Sequence, residues 1–539
     1  MTAAPAPLDT LQRYPAHDRS LAGLLASRAD PDPGRPFLVF DDRTLSWGQF
    51  REEVDRVAGV LAAYGIGGGD RIATFAENRP EIVTLLFAAA KLGAVIVPVN
   101  PAFGVDEARY VFEHAGARLV AASAETMDTA RAAAGRLEPA AKFVALEPDD
   151  LGDAPSLAGL VHVAMPLGSN AGRATDTAII LYTSGTTGFP KGVMHAQSSL
   201  VVAGEGFVER MRLAPGDRVM AILPLFHINA LFYSLMGAVA AGAALVLVPR
   251  FSASAFWKTA AATGATQVNI IAAVGNILAR RPRSEFVPHS IRKVYGAPVS
   301  AEIERAFREE FGVPVVLEGY GMTEIPGVCN NPFPGAGRGE NRIGSMGKAA
   351  VHPDPAVSFA ELRVVDEEGR DVPEGEAGEL AVRTPIVMQG YFRDPEATAA
   401  AFRDGWFLTG DLVRRDADGY FWFVARKKDI IRRRGENISG AELDRVIGAH
   451  PDVAEAAAIA VPSPLGEDDI LVAVVTKPGA KLDARAIADW CAARLAAHKQ
   501  PRYVVFAESL PHTPTHRVAK FKLKNDATLT ARAIDLTCA

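Results

Sequence analysis

Leu181-Tyr182-Thr183-Ser184-Gly185-Thr186-Thr187-Gly188-Phe189-Pro190-Lys191-Gly192 is the stretch on which the reading of this chain turns. An apolar run ending at Tyr182 has the character of a strand. It feeds residues 183–192, which hold three glycines, four hydroxyl side chains and one lysine. Glycines allow a tight turn, backbone N–H groups and hydroxyls donate to oxyanions, and an ammonium adds charge. Together they make a cradle for phosphate rather than a plain surface turn. The Gly-x-x-x-x-Gly-Lys-[Ser/Thr] spacing of a Walker loop is absent.

The composition around this loop is that of a large globular enzyme. A chain of 539 residues exceeds one ordinary core and predicts at least two domains. A net charge of −6 gives no reason to expect nucleic acid as a partner. Three cysteines, Cys329, Cys491 and Cys538, are too few for a disulfide framework and suit a reducing, cytoplasmic setting. The first sixteen residues lack a basic stretch followed by an apolar one, so no signal peptide is expected. Residues 230–249 carry no charge and are long enough to span a bilayer. Gly237 and Gly242 interrupt them, and Ala244-Leu245-Val246-Leu247-Val248-Pro249 is strand-like. A buried helix, a turn and a buried strand are expected there instead of a membrane span.

The helix–Gly–strand–Pro pattern of residues 235–249 also occurs at residues 85–98, where Gly93 precedes Ala94-Val95-Ile96-Val97-Pro98. Apolar strands alternating with helices predict βα units on parallel sheets, and two copies predict two doubly wound subdomains. Around residues 361–383 polar and apolar residues alternate between glycine-rich turns, which predicts an antiparallel or barrel-like section. A charged step, Arg426-Lys427-Lys428-Asp429, separates this from a last section with strands near residues 455–461 and 471–476. The expected class is therefore α/β. A large N-terminal domain covers residues 1–425, a hinge residues 426–428, and a small α+β domain residues 429–539.

Further segments carry chemistry. Leu223-Pro224-Leu225-Phe226-His227 opens the apolar helix. In Gly319-Tyr320-Gly321-Met322-Thr323-Glu324 the small glycines let a nucleotide lie against backbone. There Tyr320 can stack on a base, Thr323 can bond phosphate and Glu324 can hold the Mg2+ that neutralises ATP phosphates. Asp411, in Trp406-Phe407-Leu408-Thr409-Gly410-Asp411, can accept both hydroxyls of a ribose. In their order these segments resemble those of the adenylate-forming superfamily of acyl-CoA synthetases, luciferases and peptide-synthetase adenylation domains, over nearly the whole chain.

The resemblance assigns the remaining roles. Ser184, Gly185, Thr186, Thr187 and Gly188 bind phosphate between Thr183 and Lys191. Gly296, Ala297 and Pro298 line the adenine with Gly319, Tyr320, Gly321 and Met322. His227 lies beside the acyl group. Arg426 is a second nucleotide contact and Lys428 the hinge about which a mobile C-terminal domain swings. Arg434, Gly435, Glu436 and Asn437 approach coenzyme A, and the neighbouring arginines are placed to meet its phosphates. A carboxylate attacks ATP to give acyl-AMP and pyrophosphate, and a thiol then gives the thioester and AMP. The acyl pocket is expected along residues 227–233 and 319–328, with Ala230, Tyr233, Gly327 and Val328 in its lining. Neither segment carries Arg or Lys, which predicts a bulky or apolar monocarboxylic acid of a natural-product or fatty-acid pathway.

One segment departs from the pattern. The family's C-terminal motif places Gly-Lys where this chain has His516-Arg517, followed by Val518-Ala519-Lys520. The family's lysine bridges carboxylate and phosphate during adenylation. A guanidinium fork is not a compact ammonium, and histidine restricts a backbone that glycine leaves free. Thioester formation does not need this residue. The expectation is a ligase that makes acyl-CoA from acyl-AMP and is weak or inactive in adenylation, with ATP used only if Arg517 or Lys520 sustains that step. A separate adenylating enzyme would then be a partner. An ordinary two-step synthetase, a luciferase-like oxygenase, a ligase that loads a separate carrier protein and a non-catalytic acyl-AMP or ATP sensor are the alternatives. A homo-oligomer is compatible with all of them.

Overall fold

The computed structural model describes residues 6–183, 190–433, 436–463, 468–512, 518–526 and 528–536, with the side chains of Glu436 and Asn437 set aside. Internal packing divides the chain into two units. One holds residues 1–361 and 382–407, the other residues 362–381 and 408–539.

The first unit contains the two parallel sheets that the repeated pattern predicts. One has seven strands in the order Gly390–Tyr391, Lys191–Ala196, Thr177–Thr183, Val95–Val99, Arg71–Phe75, Ala117–Ala122, Lys142–Ala145. The last five of these run parallel, whereas Lys191–Ala196 is antiparallel to both its neighbours. The other sheet has nine strands. Its parallel centre runs Val315–Met322, Lys293–Gly296, Gln267–Ile270, Arg218–Ala221, Ala244–Leu247, Pro36–Phe40. Every residue of Val95–Val99 and Ala244–Leu247 is buried, as strands covered on both faces must be.

Both copies of the helix–Gly–strand pattern fold the same way. Pro80–Leu92 ends at Gly93 (φ +69°) and Met236–Ala241 at Gly242 (φ +65°). Each glycine takes the left-handed cap that reverses the chain into its strand. Residues 229–235 form a π-helix rather than the α-helix expected from the apolar run. Wider turns of this kind gather at functional sites, because they re-aim side chains without breaking the helix. No helix among the described residues is long and apolar enough to cross a membrane.

The second unit contains most of a five-stranded sheet ordered Glu361–Val365, Ala377–Arg383, Trp406–Arg415, Phe402–Arg403, with Phe421–Arg426 also on Trp406–Arg415. The pairs made by Phe402–Arg403 and Phe421–Arg426 are antiparallel. A smaller mixed sheet, Val453–Pro462, Asp468–Thr476, Tyr503–Phe506 and Ile534–Asp535, packs against Gly440–Gly448 and Ala484–Ala492.

Candidate active site

In the first unit Thr177–Thr183 and Lys191–Ala196, on either side of the predicted phosphate loop, pair as antiparallel strands. Thr183 is the last residue of its strand and pairs with Lys191, the first of the next. Ser184, Gly185, Thr186, Thr187 and Gly188 lie outside the described residues. The strand Gly390–Tyr391 joins the same sheet edge, with Tyr391 opposite Val193. This register sets the Tyr391 ring 4.8 Å from the Lys191 ammonium. The Tyr391 hydroxyl donates to Glu324 Oε1 at 2.9 Å. Burial and the adjacent Glu324 carboxylate push the phenol well above its ordinary pKa, so it stays a donor. Lys191, Tyr391 and Glu324 thus form one continuous cation–ring–carboxylate contact.

Glu324 follows the hairpin of Val315–Met322 and Ile325–Asn330, in which Met322 pairs with Ile325. Its backbone is fixed on both sides: the Met388 N–H donates to Glu324 O at 2.8 Å, and His195 Nε2 donates to Thr323 O at 2.6 Å. His195 is fully buried against Phe232, and burial lowers its pKa to about 4. It is therefore a neutral imidazole that holds the Thr323 turn. For Mg2+, Glu324 brings one nearly buried carboxylate. That donor count fits an ion that takes most of its remaining ligands from phosphates and water.

The glycines of residues 319–327 are dictated by close approach. A Cβ at Gly319 would fall 2.4 Å from the Tyr295 hydroxyl, and one at Gly321 would fall 2.2 Å from Gly327 N and 2.9 Å from the Tyr233 hydroxyl. Gly327 itself sits at φ +72°. Tyr320 and Met322 are half-buried, and Tyr320 pairs with Cys329. Gly296 ends the neighbouring strand and leads into Ala297 and Pro298. Glu318, one residue before Gly319, is a carboxyl whose pKa burial raises to about 7. His227 lies just before the π-helix, its ring 4.5 Å from that of Phe226. Ala230 and Tyr233 are buried inside that helix, and Val328 is buried beside Gly327.

The expectation that no cation stands by the acyl segments does not hold. Arg210, on the Gln197–Met211 helix, donates from Nη2 to Gly327 O at 2.6 Å, and its guanidinium lies 5.2 Å from the Tyr233 ring. Residues 227–233 and 319–328, the ground for expecting a monocarboxylic acid, carry no cation themselves, but Arg210 reaches Gly327 from a separate helix. The signal present in the sequence was one arginine three residues after Phe207, on the side of the helix that Phe207 occupies. Tyr391 and His195 were missed for a different reason. A two-residue strand has no periodicity, and a lone histidine in a strand carries no mark of its partner.

In the second unit Asp411 and Arg426 are register partners, joined by an ion pair of 3.2 Å, and Asp411 is 2% exposed. Lys428 lies in a short 3-10 turn, and its carbonyl accepts from Lys524 Nζ at 3.0 Å. Partial desolvation and the nearby Arg426 lower its pKa. Lys520 is engaged elsewhere: its ammonium pairs at 2.5 Å with the Asp444 carboxylate. Arg433, expected to meet coenzyme A phosphates, is instead nearly buried. It pairs with Asp469 at 3.2 Å and donates to the carbonyls of His498 and Gln500. Arg434, Gly435 and Arg517 lie outside the described residues, and Glu436 and Asn437 are described by backbone alone, at the start of Glu436–Ser439.

Comparison with known proteins gives one consistent picture. The family model described as AMP-binding enzyme matches residues 25–392, and that of the AMP-binding enzyme C-terminal domain matches residues 442–517. A sulfoacetate–CoA ligase of Cupriavidus necator is 35% identical over 94% of this chain and 98% of its own. ATP-bound MatB from Rhodopseudomonas palustris superposes with a TM-score of 0.84 at 29% identity, covering 95% of this chain and 99% of that one. An anthranilate CoA ligase in complex with anthranoyl-AMP gives 0.85 at 27% identity, covering 97% and 99%.

Proposed function

The chain belongs to the AMP-binding enzyme family, and we propose that this acid–thiol ligase keeps thioester formation while adenylation from ATP and free acid is weak or lost. The observation that carries the reading is His516-Arg517 where the family has Gly-Lys. The next cation in sequence, Lys520, is paired with Asp444. A guanidinium fork is not a compact ammonium, and a misplacement of about 1 Å is enough for roughly a hundredfold loss in rate.

In the retained step the thiolate sulfur of coenzyme A attacks the acyl carbon of acyl-AMP. The carbon–sulfur bond forms, the bond to the phosphate oxygen breaks, and AMP leaves with the electron pair. Asp411, held by Arg426, accepts the ribose hydroxyls. Tyr320, Gly296, Ala297 and Pro298 enclose the adenine, and Thr183, Lys191 and Thr323 bind the phosphate. Fixed donors around a leaving oxyanion do most of the work in such a reaction. Glu324, oriented by Tyr391, would hold Mg2+ wherever ATP is the nucleotide. Residues 434–437 approach the pantetheine chain, and Lys428 is the hinge between residues 1–425 and 429–539. The free, buried thiols of Cys329 and Cys491 fit a reducing cytoplasm. The acyl-adenylate would come from a separate adenylating enzyme.

Incubation of the enzyme with coenzyme A and chemically prepared acyl-AMPs, butyryl-AMP and 3-carboxypropanoyl-AMP both included, tests this reading. AMP and a thioester should appear at rates typical of the family. Absence of both, with the protein folded, would reduce the chain to an adenylate-binding protein.

A further inference from the structure

Arg210 is 2% exposed on the last turn of the Gln197–Met211 helix. Its Nη2 has one acceptor, Gly327 O, while Nε and Nη1 are buried without a hydrogen-bond partner among the described residues. The guanidinium carbon lies 5.2, 5.3 and 5.6 Å from the ring centroids of Tyr233, Tyr295 and Phe207. Ring faces, a single carbonyl and the neighbouring Tyr295 hydroxyl offset only part of the cost of taking a full charge out of water. Half-buried Arg35 also leaves two nitrogens unpartnered, but three other buried cations are better provided. Lys293 meets Asp217 at 2.7 Å, and Arg433 meets Asp469. Arg28, also buried, has Nε and Nη1 engaged by Ala240 O and Ser27 Oγ. Two unpaired donors on a rigid fork match the geometry of a carboxylate.

The location gives that missing anion a source. A Cβ at Gly327 would lie 2.6 Å from Arg210 Nη2, and one at Gly321 would touch Gly327 N and the Tyr233 hydroxyl. Gly321, Gly327, Tyr233 and Arg210 therefore adjoin, across a strand pair whose spacing is about 4.8 Å. We infer that Arg210 receives a second carboxylate on the acid, so that the enzyme's substrate is a short dicarboxylate activated at one end. This rests on reading residues 319–328 as the acyl end of the site. The reacting carboxyl group faces the Thr323–Glu324 end, and the distal one meets Nε and Nη1.

A binding experiment separates this inference from the reading beneath it, because it needs neither half-reaction. Two non-hydrolysable N-acylsulfamoyl adenosines, one butanoyl and one 3-carboxypropanoyl, are titrated into the full-length enzyme by calorimetry. The carboxylated analogue should bind at least about thirtyfold tighter, as expected for hydrogen bonds to a charged group. Arg210→Met should abolish that preference, and Arg210→Lys should keep part of it. Equal affinity of wild type for the two analogues overturns the inference even if no variant folds, as does a preference that survives in Arg210→Met. Failure of both analogues to bind overturns the adenylate-site reading and the inference together.

Discussion

Single side chains in this protein have their chemistry set by what burial leaves them to meet. Asp411 is nearly enclosed, and Arg426, paired with it at 3.2 Å, fixes where the carboxylate points. Asp411→Ala should therefore weaken AMP binding by about 1.5–3 kcal/mol, the worth of hydrogen bonds to a charged group. Calorimetric titration with AMP checks it, and unchanged affinity removes Asp411 from the nucleotide site. Glu318 shows the opposite balance. It accepts from Gly344 N at 3.2 Å, but burial raises its pKa from 4.5 to about 7. Between those two values the folded protein holds a proton that the unfolded chain releases, so stability falls as pH rises from 4.5 through 7. Glu318→Gln keeps an acceptor and removes the charge. It should stabilise the enzyme at pH 8 by up to about 3 kcal/mol and make little difference at pH 4.5. Thermal unfolding at the two values gives the answer. A gain of equal size at both would assign the effect to packing.

Secondary elements were legible in the sequence where a residue's conformation depends on its neighbours alone. Gly93 and Gly242 could be read as helix stops because only a left-handed cap lets an apolar helix turn straight into a buried strand. Their surroundings were not legible. A Cβ at Gly242 would lie 2.1 Å from the Tyr14 hydroxyl, whereas at Gly93 the nearest atom is Asp176 Oδ2 at 3.2 Å. Both alanine variants should lose about 1 kcal/mol to backbone strain, and Gly242→Ala more, by an amount that melting curves can rank. The π-helix of residues 229–235 was read as α, since apolar periodicity does not distinguish a widened turn. The Tyr391–Glu324 contact was invisible for the same kind of reason: it joins residues 67 apart in sequence through a two-residue strand. The 3-10 turn Lys427–Asp429 is where the chain is proposed to swing. Lys428→Pro fixes φ there and deletes an N–H. Thioester formation and whatever adenylation remains, measured separately, should fall unequally. Equal losses would mean general destabilisation and no hinge at that residue.

Across the whole molecule, the residues proposed to bind a nucleotide are present, while His516-Arg517 stands where the family's motif has Gly-Lys. Lys191, Tyr391 and Glu324 form a connected group in one unit, and Asp411 and Arg426 a second in the other. In the proposed reaction neither group needs a lysine at position 517 to handle acyl-AMP. The sequence made this asymmetry readable because Gly-Lys to His-Arg is a change of chemical type inside a motif of fixed spacing. It did not reveal that Lys520, three residues on, is paired with Asp444, where burial raises the carboxyl's pKa and the ammonium lowers it. An ammonium so occupied would have to leave a partly buried partner before it could reach ATP, and breaking such a pair is costly. ATP–pyrophosphate exchange with free acid should accordingly be negligible in the unmodified enzyme, while AMP release from acyl-AMP and coenzyme A is rapid. Arg517→Lys combined with His516→Gly should raise exchange at least a hundredfold, since one well-placed charge at the transition state is worth roughly 3 kcal/mol. The gain should appear with AMP release from acyl-AMP unchanged, because that step does not use the residue. Brisk exchange in the unmodified enzyme would make the chain an ordinary two-step synthetase. If that exchange vanished in Lys520→Ala but not in Arg517→Ala, the Asp444 pair would be a resting state of the catalytic lysine.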